Sequence, residues 1–257
     1  MFQICLKNKT VLITGATNGI GRGIARQMAL AGARVSGCAT TEDDNGFVAE
    51  MQSLNAEALY TTCDVTKEND LKSLTDATIK KFGGIDILVS NAGRNVFTGA
   101  AGSNEEDWQQ NMDLNLASHW RLAKLCKPFL EKRNGVIIIM TSNHSLGTIP
   151  GCFPYNVAKT ALTGLVRSLA IEWAPRIRTV GIAPGFIDTP GNQQWFDSFA
   201  DARAERQRTV NLHPVKKLGT VDEIGGWCVF LASAYAAFAA GTTYLIDGGR
   251  SALMQDS

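Results

Sequence analysis

The 257-residue chain lacks any long hydrophobic run. Apolar stretches such as Val136–Met140 stay far below the roughly 20 residues of a membrane-spanning helix, so no membrane partner is expected. Residues 1–10 show no charged leader followed by an apolar core, so the expected location is the cytoplasm. Neither sign of charge dominates: 25 Lys and Arg stand against 24 Asp and Glu, scattered along the chain. Without a basic stripe to neutralise a phosphate backbone, nucleic acid is not an expected partner. There are only three histidines (119, 144, 213), and six cysteines (5, 38, 63, 126, 152, 228) without a C-x-x-C. Neither set has metal-ligand spacing, so no metal is expected and the cysteines read as buried, reduced thiols. Seven prolines and no low-complexity stretch leave no linker, and the chain reads as one domain over 1–257.

What the chain does have is alternation. Strand-like apolar runs fall at 10–14, 35–39, 57–63, 85–90, 136–141, 177–183 and 243–246. Helical spacing of apolar residues falls at 20–30, 68–82, 105–130, 155–173 and 222–231. Such alternation means parallel strands joined by right-handed crossovers, with helices on both faces. The expected fold is α/β, a Rossmann-like doubly wound parallel sheet of about seven strands, whose ligands bind beyond the strands' carboxyl ends. One connection, 186–219, is unusually long, and holds Trp195, Phe196 and Phe199 with Arg203, Arg206 and Arg208. It reads as a partly helical lid over a substrate. A surface helix with its aromatics packed on the body is the plain alternative.

The first strand runs into Thr14-Gly15-Ala16-Thr17-Asn18-Gly19-Ile20-Gly21, and a helix comes next. Glycines there let a pyrophosphate approach the backbone, and the helix N-terminus offers unpaired N–H groups and a positive dipole. Alone, a glycine-rich turn is a weak signal.

Joined to motifs further along the chain, the turn resembles the cofactor fingerprint of the classical short-chain dehydrogenase/reductase family. Asn91-Ala92-Gly93 resembles that family's next motif. Tyr155-Asn156-Val157-Ala158-Lys159 is similar to its Y-x-x-x-K, with Ser142 thirteen residues before the tyrosine. Asn115, Pro184-Gly185, 230–233 and Asp247-Gly248-Gly249 complete a likeness that covers essentially the whole chain. Val180 stands where the family usually has asparagine.

The resemblance implies an NAD(P)-dependent oxidoreductase. Gly15, Thr17, Asn18, Gly19, Ile20 and Gly21 would cradle the dinucleotide. Asp64 and Val65 would hold the adenine, and Asn91, Ala92 and Gly93 would flank the adenosine ribose. Beyond Pro184 and Gly185, Ile187 and Thr189 would receive the carboxamide. Tyr155 is the implied proton carrier and Lys159 its cationic partner, also bonded to the nicotinamide ribose. Ser142 would orient the reacting oxygen, and Asn115 would hold a water linking Lys159 to solvent. A free phenol ionises near pH 10, and lowering that by about three units takes roughly 4 kcal/mol, which two nearby positive charges can supply.

Ala39 and Thr40 stand where an acid would bind a ribose 2′-hydroxyl, which leans towards NADP. Arg22 would approach the phosphates, while Glu42, Asp43 and Asp44 would oppose a 2′-phosphate. Trp195 of the long connection is expected to reach the substrate, a small molecule, and Arg94, Asn95, Asn143 and His144 are expected to border it. Their polarity, and a likeness of 91–97, 144–155 and 248–253 to sugar and sugar-acid dehydrogenases, suggest a sugar, polyol or sugar acid. Reduction of a ketone or 3-oxoacyl thioester by NADPH is the alternative enzyme. A non-catalytic dinucleotide sensor is the alternative of another class, and it has no need of a proton relay. The 105–130 helix and the apolar C-terminal segment resemble those that pair in family tetramers, so a homotetramer is expected.

Overall fold

The computed structural model describes residues 4–42 and 44–253, so Asp43 lies outside the described residues. Strands β1 (Thr10–Thr14), β2 (Arg34–Ala39), β3 (Ala58–Thr62), β4 (Ile87–Ser90), β5 (Val136–Met140) and β6 (Arg178–Pro184) come first. Between them lie helices α1 (Gly19–Leu30), α2 (Phe47–Ser53), α3 (Glu68–Phe82), α4 (Glu105–Met112) and α5 (Ser118–Arg133), with α6 (Tyr155–Trp173) leading into β6. The chain then adds β7 (Ile187–Asp188), α7 (Pro190–Asp197), α8 (Ala202–Asn211), β8 (Gly219–Thr220), α9 (Val221–Ala232) and β9 (Thr243–Ile246). Among the described residues, seven strands form one parallel sheet in the order β3-β2-β1-β4-β5-β6-β9.

Both faces of the central strands are covered, which is why their sequences are apolar without interruption. Successive side chains point to opposite faces. Val11 and Ile13 of β1 join Ile138 of β5 and Ile24 and Met28 of α1 in one core. Leu12, Ile137 and Ile139 join Leu122 and Leu130 of α5 and Leu162 and Val166 of α6 in the other. Each such fully buried side chain contributes roughly 1.5–3 kcal/mol.

The strand order reverses between β1 and β4, where doubly wound sheets open their ligand crevice. Thr14 ties the two strand ends together. Its hydroxyl accepts the N–H of Asn91 and of Ala92, each at 2.9 Å, and its carbonyl accepts the Asn91 side-chain amide at 2.9 Å.

Three local features differ from the expectation. Helix α2 is absent from it: seven residues, with only Phe47 and Met51 buried, are too short for periodicity to register. The continuous helix expected over 105–130 is instead α4, a π turn at Asp113–Ala117, and α5. Such widened turns cluster at functional sites, and this one turns Asn115 inward. In 186–219 the paired strands β7 and β8 tie the two ends of the stretch together around α7 and α8. Val180, the family departure, is fully buried in a β6 that keeps its register with β5 and β9. Among the described residues no helix is long and apolar enough to cross a membrane.

Candidate active site

The N-terminus of α1 opens onto the switch-point crevice. Asn18 caps it, its side-chain oxygen accepting the Gly19 N–H at 2.7 Å. Gly15 and Gly19 take φ of +64° and +51°, backbone that side chains disfavour. A Cβ on Gly21 would overlap the Gly15 carbonyl oxygen, so no other residue closes this turn. Across the crevice, Thr189 faces Gly19, 3.5 Å from where a Cβ would stand there. Ile187 beside it is buried, as is Pro184, and Gly185 fits tightly against Asp247. The Asp64 carboxylate accepts from the Thr66 N–H at 3.0 Å and hydroxyl at 2.7 Å, next to buried Val65. Ala39 and the exposed Thr40 end β2 without an acid.

This cradle fits a dinucleotide: glycine walls admit a pyrophosphate to the backbone and the α1 dipole favours its charge. One expectation is corrected. Arg22 does not stand free to approach phosphates. It pairs with Glu50, donates to the carbonyls of Thr17 (3.3 Å) and Asn45 (3.0 Å), and lies 6.0 Å over the Phe47 ring.

Beyond β5, Tyr155 opens α6 and Lys159 sits one turn later, with exposures of 8% and 3%. The Lys159 Nζ lies 5.6 Å from the Tyr155 ring centre and donates to the Met140 carbonyl at 3.1 Å. Ser142 caps the short turn after β5, its hydroxyl accepting the His144 N–H at 3.2 Å. Asn115 is fully buried; its amide donates to the Arg94 carbonyl and to Asn111, both at 2.9 Å, and its oxygen accepts the Arg94 N–H at 3.0 Å. Gly93 leaves room for both groups: a Cβ there would stand 2.8 Å from the Asn115 oxygen and 3.3 Å from Lys159 Nζ.

Burial pushes the Tyr155 phenol up to about 12, against the Ser142 hydroxyl, which favours the phenolate, and with the Cys152 thiol adding to the rise. Burial pulls Lys159 down to about 8. The expected acidified phenol is therefore not a property of the chain alone. The ammonium is lost before the phenol ionises, so its attraction is gone when it would count.

Of the residues expected around the substrate, His144 is at the centre. Its ring meets Tyr155 at 6.1 Å and Phe97 at 5.9 Å, and its Nδ1 is 3.0 Å from the Thr148 hydroxyl. Arg94 and Asn95 are exposed beside the Asn115 anchor. Trp195 packs on Phe186, Phe196 and Phe199 within the 186–219 stretch. Phe97, which residue-by-residue reading of the sequence misses, stacks edge-on against Tyr155 at 5.4 Å. Its only sequence signal is its place after the Asn-Ala-Gly turn. The pairing of Asp188 with Arg206, which also lies 5.6 Å over Phe196, joins β7 to α8 and is equally invisible in the sequence. Among the described residues no group of His, Cys, Asp or Glu is placed to hold a metal.

A family model described as enoyl-(acyl carrier protein) reductase matches residues 15–251. The chain belongs to the short-chain dehydrogenase/reductase family. Human dehydrogenase/reductase SDR family member 4 is 37% identical over 95% of this enzyme and 88% of its own length. The 3β-hydroxysteroid dehydrogenase 1 of Eggerthella lenta is 33% identical over 95% and 94%. The ligand-free aldohexose dehydrogenase of Thermoplasma acidophilum superposes with a TM-score of 0.90 at 28% identity, over 98% and 97%. This short-chain dehydrogenase/reductase is accordingly an NAD(P)-dependent oxidoreductase.

Proposed function

We propose that the enzyme interconverts a ring-bearing ketone and its secondary alcohol, with Tyr155 carrying the proton. The observation that carries this reading is the pair of rings, Phe97 and His144, set edge-on against the Tyr155 ring. Leu146 and Ile149, on the segment between Ser142 and Tyr155, are 65% and 57% exposed, and Trp195 and Phe199 are half-exposed. An apolar mouth of this kind leaves a sugar's hydroxyls unpaired and accepts a hydrocarbon frame. The relative from Eggerthella lenta carries a hydroxysteroid in its name, which agrees.

When bound, the nicotinamide supplies or accepts the hydride. Tyr155 Oη donates the proton in reduction and takes it in oxidation. Ser142 donates to the reacting oxygen and orients it. Lys159 holds positive charge near the phenol and bonds the nicotinamide ribose, with Asn115 anchoring the turn beside it. Gly15, Thr17, Asn18, Gly19, Ile20 and Gly21 hold the pyrophosphate, Asp64 and Val65 the adenine, Asn91, Ala92 and Gly93 the ribose, and Ile187 and Thr189 the carboxamide. NADP is preferred, because no acid at Ala39 or Thr40 opposes the 2′-phosphate. The preference is small, because Arg22 is committed to Glu50. The 186–219 stretch serves as lid. The enzyme works in the cytoplasm, which fits its free cysteines, and as a homotetramer, which fits the exposed Trp227, Phe230, Tyr235 and Phe238.

A second reading, oxidation of a sugar, polyol or sugar acid, is favoured by the exposed Arg94 and Asn95 beside the site. A panel of cyclic and aryl ketones, 3-oxoacyl thioesters, aldoses and polyols, run with both dinucleotides, separates the readings. Tyr155→Phe is expected to abolish turnover and keep dinucleotide affinity. Turnover that survives in Tyr155→Phe refutes the mechanism; turnover of aldoses alone refutes the substrate class.

A further inference from the structure

Helix α4 buries one side chain, and that side chain is polar. Of its eight residues only Asn111 is fully enclosed. A buried amide left unpaired costs about 1–3 kcal/mol, and a leucine of similar bulk would seat the helix without that cost. The Asn111 amide instead spans two partners. Its oxygen accepts the Asn115 amide at 2.9 Å, and its nitrogen donates to the Pro154 carbonyl at 3.0 Å. One turn earlier on the same face of α4, Trp108 stacks on Phe153, with ring centres 5.6 Å apart and 22° between the planes.

Pro154 is where α6 begins. Its carbonyl also accepts the N–H groups of Val157 and Ala158, at 3.1 and 3.4 Å, and so closes the turn that carries Tyr155. The loop after the Asn-Ala-Gly turn is fastened to the same point. Phe97 forms an antiparallel bridge with Pro154, and the N–H groups of Thr98 and Gly99 both donate to the Phe153 carbonyl at 3.1 Å. The start of that loop, Arg94, is held by Asn115 through both its N–H and its carbonyl. The contacts close a ring that runs from Arg94 to Asn115, Asn111, Pro154 and Phe97, and back along the chain to Arg94. In that ring Asn111 directly joins the π turn that bears Asn115 to the helix that bears Tyr155.

We propose that Asn111 is a positioning residue for Tyr155: it fixes the first carbonyl of α6, and with it the place of the phenol against the reacting oxygen. The inference rests on the reading of Tyr155 as the proton carrier. The role asks for a side chain that donates from one atom and accepts at another, which an amide offers. Leucine at this position would strip the Asn115 N–H of an acceptor and release the Pro154 carbonyl from α4. Phe97 is bridged to Pro154 through the backbone, so the aromatic wall and the phenol shift together. The fit of a ketone to that wall is kept, while the aim of the proton is lost.

The test compares Asn111→Leu with the wild type in light and in heavy water, reducing the cyclic ketone that the substrate panel finds fastest. The kcat is expected to fall at least about tenfold. The KM for the ketone, and dinucleotide affinity from fluorescence titration, are expected to stay near their wild-type values. The solvent isotope effect on kcat is expected to rise, because a misplaced phenol makes proton transfer the slow step. A variant that is merely less well folded has fewer active molecules, which lowers kcat and leaves the isotope effect where it was. A folded Asn111→Leu enzyme with wild-type kcat, or with lower kcat and an unchanged isotope effect, overturns the proposal. Should leucine prevent folding, Asn111→Ala, which removes the same two bonds without added bulk, decides by the same readings. Failure of the underlying reading looks different: Tyr155→Phe would then keep its turnover.

Discussion

Exchanging Lys159 for arginine is expected to make Tyr155 more acidic in the enzyme without dinucleotide. In the wild type Lys159 gives up its proton near pH 8, four units before the phenol ionises near 12. The phenol then ionises with no cation beside it. Arginine stays charged throughout that range. At the 5.6 Å separation of Lys159 Nζ from the phenol ring, a unit charge attracts a phenolate by about 3 kcal/mol at an effective dielectric constant of 20. That is about two pKa units. Tyr155 in Lys159→Arg is therefore expected to ionise near pH ~10, whereas in Lys159→Met it stays near 12. The assay is an ultraviolet titration of tyrosinate, corrected for Tyr60, Tyr235 and Tyr244 by subtracting the Tyr155→Phe curve. Only Lys159→Arg should show the additional step below about pH 11. If the Arg and Met variants titrate Tyr155 at the same pH, the claim that Lys159's charge governs the phenol is wrong.

The folded-state pKa of His119, about 3, lies below the ordinary value of about 6.5, so the unfolded chain binds its proton first as pH falls. Stability is full above about pH 6.5 and is lost on acidification, by about 2 kcal/mol at pH ~5; denaturant melts at pH ~7.5 and ~5 should show this, and His119→Gln should remove it. Gly93→Ala would set a Cβ 3.3 Å from Lys159 Nζ and 2.8 Å from the Asn115 oxygen. It is expected to lower kcat at least about tenfold, because displacement of about 1 Å in a catalytic group is costly; unchanged steady-state kinetics would show that this contact does not position the lysine. Arg206→Ala removes the tie between Asp188 and α8, and substrate KM should rise severalfold with kcat little changed; an unaltered KM would deny the lid its role. Thr40→Asp should shift the dinucleotide preference towards NAD through repulsion of the 2′-phosphate, read as the ratio of kcat/KM with the two dinucleotides; an unchanged ratio would show that this position does not face the adenosine ribose.

Much of this enzyme is local and therefore legible in one dimension. Strand periods, the glycine turn at 15–21 and the four-residue spacing of Tyr155 and Lys159 depend on near neighbours, and they announce a parallel sheet with a crevice beyond its strand ends. The names of the proton-handling residues come from the same motifs. What the sequence could not determine involves partners far apart in the chain. Phe97 becomes a wall of the site only because its loop is carried onto Tyr155, fifty-eight residues later. Arg22 loses its freedom to Glu50, twenty-eight residues away. The π turn that aims Asn115 gives no periodic sign, and α2 buries too few residues to leave one. The sign of the pKa shifts is the deepest of these. Spacing places an ammonium near a phenol, but burial depends on every layer packed around them, and here desolvation decides that the phenol keeps its proton in the chain by itself.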